Sequence, residues 1–125
     1  MPTLIAAEPQ LYVRDIAASC EFYSRFLGFS VAFTYGEPPF YGQVRRDGVS
    51  LNLRQIDSPV VDPLRRDAER LLAASITLED ANPLFLEYQN AGVTFVQPLR
   101  LEPWGARTFI VADPDGNQLL FAGRA

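Results

Sequence analysis

The chain has 125 residues, of which 48% are hydrophobic and 21% are charged, and its formal net charge at pH 7 is -4. This composition is close to the globular average, and the length fits a single domain that buries about two-thirds of the surface exposed by its unfolded chain. Acidic groups are dispersed and no basic stripe is present, so we expect no nucleic-acid partner.

Three absences narrow the function classes further. No apolar run reaches the roughly 18 residues of a membrane span, and the first seven residues lack the features of a secretion signal, so we expect a cytoplasmic protein with no membrane partner. Cys20 is the single cysteine, which excludes an internal disulfide. The chain also lacks histidine, the residue on which catalytic transition-metal sites and general bases most often rely. We therefore expect no metal, no cofactor and no catalytic residue.

The first half of the chain predicts a strand, a helix and further strands. An alternating segment at 11–13 precedes Asp15, a suitable helix cap, and apolar residues recur at helical spacing from Ile16 until Gly28. A strand is predicted at 29–33, and the turn dipeptide Asp47-Gly48 precedes another strand at 49–53.

The second half repeats this order. A strand at 76–78 precedes a helix at 82–91, with Asn82 as the expected cap and Pro83 in its first turn, and Gly92 follows the helix. Strands are predicted at 93–96 and 108–111, and the dipeptide Asp115-Gly116 precedes a last strand at 117–121. Each half is therefore predicted to be a βαβββ module.

The sequence predicts an α+β fold in which two βαβββ modules form a curved mixed sheet around a cavity, within a single domain covering residues 1–125. The first repeat spans about 4–57 and the second about 70–124, beginning with a strand at about 70–79. A linker at about 58–69 joins them and contains a possible helical turn at 63–67.

Strand alternation indicates which side chains lie on the two faces of the sheets. Those expected to face the helices are Leu11, Val13, Leu51, Leu53, Leu72, Ala74, Ile76, Leu78, Leu119 and Phe121. Those expected on the opposite face are Glu8, Gln10, Tyr12, Ser50, Asn52, Arg54, Ala73, Ser75, Thr77, Gln118 and Leu120. The second, mostly polar set either lines the cavity or meets solvent, and alternation alone favours neither.

Three motifs carry a resemblance to a known family. The segments 15–29, 103–107 and 113–117 resemble, in order and spacing, the glyoxalase/bleomycin-resistance/dioxygenase superfamily, also called vicinal oxygen chelate proteins. The resemblance covers nearly the whole chain and implies paired modules around a cavity. In metal-dependent members the metal ligands lie at positions that correspond to Glu8, Asn52, Ala73 and Leu120. Two of these side chains cannot coordinate a metal, so the resemblance implies a member without one.

Within the superfamily the chain most resembles the metal-free bleomycin-resistance proteins, through the further segments 39–42 and 46–51. The resemblance implies aromatic contacts with flat ligand rings from Phe33, Phe40 and Trp104, the last two in loops. It also implies a homodimer in which an N-terminal arm crosses over at Pro9. Alternatively, Phe33 belongs to the core and Trp104 closes its own loop.

We therefore expect a metal-independent protein that sequesters a small organic molecule with aromatic rings. Glu8 and the net acidity favour a positive charge on that ligand, unless Glu8 is simply solvated, and Arg54 either pairs with Glu8 or binds a ligand oxygen. The expected ligand-binding residues are Glu8, Phe33, Phe40, Asn52, Arg54 and Trp104. The alternatives are an accessory subunit, or a metal-dependent lyase, isomerase or dioxygenase of the same superfamily with a non-standard site.

Overall fold

Strands and helices alternate along the chain in the computed structural model, which describes residues 1–124. The elements of the first half are β1 (Gln10–Val13), α1 (Ile16–Arg25), β2 (Ser30–Gly36), β3 (Pro39–Arg46) and β4 (Val49–Gln55). The remaining elements are α2 (Pro63–Glu69), β5 (Leu72–Leu78), α3 (Ala81–Asn90), β6 (Phe95–Leu101), β7 (Arg107–Ala112) and β8 (Gln118–Gly123). Within this described part, no helix is long and apolar enough to cross a membrane.

The strands form two sheets of the same design. The first sheet has the order β1-β4-β3-β2 and the second the order β5-β8-β7-β6. In each sheet the module's first strand runs parallel to its last, while the other neighbours are antiparallel. The prediction of an α+β fold with two βαβββ modules is confirmed, and α2 lies in the connection between the modules.

Local sequence signals determine where the helices begin and end. The side chain of Asp15 accepts a hydrogen bond from the backbone of Ala18 and caps α1, as expected. For α3 the expected cap was wrong, because Asp80 caps the helix and Asn82 lies in its first turn. After each of these helices the chain continues through a glycine with positive φ, 73° at Gly28 and 86° at Gly92, a conformation that side chains with a Cβ disfavour.

The helix-facing sides of both sheets contribute to one hydrophobic core. Its members include Leu11, Val13, Leu51 and Leu53 from the first sheet and Ile76, Phe109, Val111, Leu119 and Phe121 from the second. The expected inward position of Leu72 was wrong, since this residue is 42% exposed. An irregularity in the β5–β8 pairing between Leu72 and Ala74 shifts the alternation by one residue, so only the later part of β5 follows the predicted faces.

Buried tyrosines connect the two modules across this core. The hydroxyl of Tyr23 in α1 donates to Oδ2 of Asp113, 3.0 Å away in the β7–β8 turn. The hydroxyl of Tyr88 in α3 donates to the backbone oxygen of Leu27 at 2.8 Å. Both tyrosine rings are fully buried, and burial raises the pKa of both phenols, which keeps them protonated as donors. The modules are therefore joined by directed hydrogen bonds as well as by apolar packing.

We expect Tyr23→Phe to lower the free energy of unfolding by about 1.5 to 3 kcal/mol, because Oδ2 of the buried Asp113 carboxylate loses one of its two donors in the described chain and keeps only the side-chain amide of Asn117. Urea denaturation followed by circular dichroism measures this change. The control is Tyr35→Phe, which removes the same hydroxyl from a ring that is 67% exposed and should change stability by less than about 0.5 kcal/mol. Equal effects of the two substitutions would contradict the proposed link between the modules.

Candidate ligand-binding face

The first sheet turns one side away from α1, and we call this side the open face. The pairing of strands places side chains on it in two rows across the sheet. One row consists of Gln10, Asn52, Gln43 and Phe33, and the next consists of Tyr12, Arg54, Tyr41 and Tyr35. Arg45 and Ser50 are paired beside the first row, so the open face combines amides, arginines and aromatic rings.

A network of amide groups lies at the centre of the open face. Nε2 of Gln43 donates to Oδ1 of Asn52 at 2.9 Å and to Oε1 of Glu8 at 3.4 Å. Nδ2 of Asn52 donates to the same oxygen of Glu8 at 3.3 Å. Both amide residues are only 7% exposed, so these bonds compensate for the loss of water around their polar atoms. The three side chains therefore hold one another in place.

Arginine extends the network on the side opposite Glu8. Nη2 of Arg45 donates to Oε1 of Gln43 at 3.2 Å, and its Nε donates to Oγ of Ser50 at 3.1 Å. Arg45 is exposed, in contrast to the amides that it contacts. The guanidinium is thus fixed by neutral groups at the surface of the face.

Aromatic rings cover the part of the open face next to the amides. The rings of Phe33 and Tyr41 are stacked with centroids 6.3 Å apart, and those of Tyr35 and Phe40 meet edge to face at 5.7 Å. Phe33, Tyr35 and Phe40 are 45%, 67% and 39% exposed. The guanidinium of Arg54 lies 4.8 Å from the centroid of Phe40, within the range of a cation–π contact. These rings are exposed and lie outside the hydrophobic core.

A second polar cluster lies in the other module, around the nearly buried Glu102. Its Oε1 accepts from Nε of Arg100 at 2.7 Å and from Oγ1 of Thr108 at 2.8 Å. The amide of Gln97 donates to the same threonine hydroxyl at 3.1 Å. The hydrogen bond from Arg100, and after it the bond from Thr108, lowers the pKa of Glu102 below its usual value.

The structure brings most of the predicted site residues together. Phe33, Asn52 and Arg54 lie on the open face, Glu8 contacts Asn52, and Phe40 contacts Arg54. Phe40 was expected in a loop, but it is the second residue of β3. A Glu8–Arg54 pair does not form within residues 1–124, since Glu8 bonds to amides and Arg54 stacks on Phe40.

Trp104 lies apart from these residues, in the turn between β6 and β7 of the second module, and is 69% exposed. Sequence reasoning also missed Gln43 and Arg45. The signal that could have found them is the Asp47-Gly48 turn, because a two-residue hairpin places Gln43 opposite Asn52 and Arg45 opposite Ser50.

The positions that correspond to metal ligands in metal-dependent relatives do not form a transition-metal site. Glu8 and Asn52 are adjacent on the first module, but Leu120 lies among the apolar and hydroxyl side chains of the second sheet and Ala73 has no donor atom. Within residues 1–124 no three His, Cys, Asp or Glu side chains are grouped closely enough to hold a metal ion. The residues present therefore do not fit the metal that such relatives use.

The two repeated βαβββ modules place the chain in a class of α+β proteins built from paired modules. The sequence profile of the Glyoxalase/Bleomycin resistance protein/Dioxygenase superfamily matches residues 5–121, and the chain belongs to this superfamily. None of the curated protein sequences compared with it matches significantly.

Solved structures with the same fold include binding proteins and an enzyme. A bleomycin-binding protein complexed with bleomycin has a TM-score of 0.77 and 22% identity, covering 98% of this chain and 100% of that one. The bleomycin-binding protein of Streptomyces verticillus, complexed with copper(II)-bleomycin, has a TM-score of 0.76 and 24% identity over 100% of both chains. A glyoxalase-related enzyme from Clostridium phytofermentans has a TM-score of 0.76 and 18% identity, covering 99% and 98%. At sequence identities this low, the similarity to these structures establishes a shared fold and nothing about function.

We expect Arg100→Gln to raise the pKa of Glu102 toward its usual value, because the largest cause of its depression is removed. A group with a depressed pKa stabilises the fold above its unfolded pKa and loses this contribution as the pH falls through the folded pKa, so in the variant the contribution should be smaller and its loss complete at a higher pH. An NMR titration of the Glu102 carboxyl carbon measures the shift. Arg65→Gln, which breaks only the Arg65–Glu69 pair on α2, should leave that titration unchanged. An unaltered Glu102 pKa in Arg100→Gln would refute the assignment.

Proposed function

We propose that this protein is a metal-independent binding protein that sequesters an aromatic small molecule on the open face. The observation that carries the proposal is the group of exposed rings of Phe33, Tyr35 and Phe40 beside a hydrogen-bonded amide network. Stacked or edge-on aromatic contacts contribute roughly 0.5 to 1.5 kcal/mol each beyond their burial, which suits affinity without chemistry. Bleomycin is the first natural compound to test, because proteins of the same fold bind it.

The ligand's charge is a weaker criterion than its rings. The net charge of -4 attracts cations at long range, and this supported the expectation of a positively charged ligand. Near the face, however, the carboxylate of Glu8 is accompanied by the guanidiniums of Arg45 and Arg54. The proposed function therefore requires aromatic rings and does not require a positive charge.

The proposed binding unit is a homodimer in which the open face of one protomer is covered by the second module of its partner. Trp104 protrudes from that module, and the apolar side chains of Leu4 and Ile5 in the N-terminal arm are 98% and 93% exposed. Exposed apolar groups of this kind are typical of surfaces that meet another chain. Exchange of this N-terminal arm, crossing over at Pro9, would cover them and produce a two-fold dimer at low cost.

We expect Trp104→Ala and Phe40→Ala each to weaken binding at least tenfold, about 1.4 kcal/mol, while the melting temperature changes little. N-phenyl-1-naphthylamine, a neutral aromatic compound, is a suitable probe, and its affinity is measured by calorimetry with EDTA-treated protein to test metal independence. Leu86→Ala is the control, since Leu86 is 55% exposed on α3 and lies outside the face. Strong destabilisation with unchanged affinity would show that both rings serve packing, and binding only after metal addition would contradict metal independence.

We expect light scattering to give twice the chain mass of 14.0 kDa at micromolar concentration. Replacing both Leu4 and Ile5 by Asp should shift the protein toward the monomer, because charged arms lose the apolar contact with the partner. Leu86→Asp on α3 introduces the same charge outside the arm and should leave the mass unchanged. A monomeric wild-type protein, or equal dissociation by both variants, would refute the arm-mediated dimer.

A further inference from the structure

Arg45 differs from the arginines that form ion pairs in this structure. In the described part of the chain, four arginines form ion pairs with carboxylates, in the pairs Arg46–Glu87, Arg65–Glu69, Arg66–Asp67 and Arg100–Glu102. Arg45 instead bonds to the neutral oxygens of Gln43 and Ser50, and within residues 1–124 it has no carboxylate partner. Like Arg54, it therefore presents a positive charge without an ion-pair partner from the described residues on the open face, but its guanidinium is held by two side chains whereas that of Arg54 stacks on Phe40.

The two hydrogen bonds of Arg45 also determine which of its donors remain available. A guanidinium has five N–H groups in a planar fork, and Arg45 uses one on Nε and one on Nη2. These bonds hold the edge of the group that faces the sheet. The edge formed by Nη1 and Nη2 keeps one N–H on each nitrogen without a protein acceptor in the described chain, and two parallel N–H groups fit the two oxygens of a carboxylate or sulfonate.

Glu8, an exposed carboxylate, contacts the amides at 3.3 and 3.4 Å, and the orientation of the amides in turn sets that of the fork. Because carboxylate oxygens only accept, Glu8 requires Asn52 and Gln43 to turn their NH₂ groups toward it. The carbonyl oxygen of Gln43 then points in the opposite direction, where it accepts from Arg45. A chain of bonds thus runs from the carboxylate of Glu8 through Gln43 to the guanidinium of Arg45.

The fork lies close to the aromatic part of the open face. Phe33 is directly opposite Gln43 in the β2–β3 pairing, and Arg45 is two residues further along β3. Such diagonal neighbours are about 7 to 8 Å apart between backbones, within reach of long side chains. One small molecule with a ring and an acidic substituent can therefore contact both.

We propose that Arg45 recognises an acidic group on the ligand, so that the ligand is an aromatic acid, and that Glu8 is a positioning residue for Arg45. This inference rests on the proposed function of the open face. In this inference Glu8 does not attract a ligand cation directly. Its carboxylate orients the amide of Gln43, and Gln43 in turn holds the positively charged Arg45 in position.

Two fluorescent probes that differ in one acidic group test the proposal. 8-Anilino-1-naphthalenesulfonate and N-phenyl-1-naphthylamine share their rings, but only the first carries a sulfonate. Fluorescence titration of the wild-type protein should give at least tenfold tighter binding of the sulfonate. In Arg45→Gln this preference should fall to within about threefold, because the affinity for the sulfonate falls more than the affinity for the neutral probe. Arg45→Lys should retain only part of the preference, because lysine keeps the charge and loses the planar fork.

Arg65→Gln is the matched control, since it removes an exposed arginine on α2, outside the open face, and it should preserve the preference. A loss of the preference in this control, or equal binding of both probes by the wild-type protein, would overturn the inference about Arg45 while leaving the proposed function intact. If neither probe bound the wild-type protein, the proposed function itself would fail.

Glu8→Ala separates positioning from simple electrostatics. Removing a negative charge should strengthen the binding of an anion if Glu8 acts through space, whereas it should weaken the binding of the sulfonate if Glu8 orients Arg45. We expect weaker sulfonate binding, by threefold or more, and a larger loss of affinity for the sulfonate than for the neutral probe. Stronger sulfonate binding in Glu8→Ala would overturn the positioning role.

Discussion

The shared core between the modules is the constraint on which the rest of the structure depends. Both sheets use their helix-facing sides to build it, and the buried hydroxyls of Tyr23 and Tyr88 connect the modules across it. Side chains alternate along a strand, so a sheet that commits one face to the core must turn the other away from it. The open face of the first sheet is therefore left without a covering layer from its own module, which is the physical reason for proposing that a second chain covers it.

The open face differs from an ordinary solvated sheet surface in how firmly its polar groups are held. Gln43 and Asn52 are almost as buried as the core, although they lie on the side away from α1. Each amide is held from two sides, by the other amide and by Glu8, with Arg45 bound to Gln43 as well. Ordering long side chains costs conformational entropy, and side chains that are already fixed reduce that cost on binding. The polar groups of the open face are thus already ordered, which lowers the entropic cost of binding a ligand on the proposed site.

Much of the fold was predictable because it is encoded by short, local signals. Asp15 caps the beginning of α1, and Gly28 follows its end. The same order of signals in the second half of the sequence identified the two modules. The errors arose where a local preference competed with its surroundings. Asn82 is a residue type that often caps helices, but Asp80 lies two residues earlier and caps α3 instead. In β5, one irregularity in the pairing with β8 puts Leu72 on the face opposite to the predicted one. A single extra residue in a strand reverses every later side chain, and sequence periodicity does not reveal it.

The candidate site was less predictable, because its chemistry depends on which groups become partners. Sequence reasoning placed Glu8 and Asn52 on one face and treated Glu8 either as a carboxylate that favours a ligand cation or as a solvated side chain. Both interpretations considered the carboxylate without its hydrogen-bond partners. In the folded chain two amide groups donate to Glu8. The carbonyl oxygen of Gln43 therefore lies on the other side of its amide, where it accepts from Arg45. Within a network of low exposure, the orientation of an amide is set by all of its neighbours together. The charge that such a face presents to a ligand therefore depends on which end of this series of hydrogen-bonded side chains the ligand contacts. A count of charged residues does not reveal it.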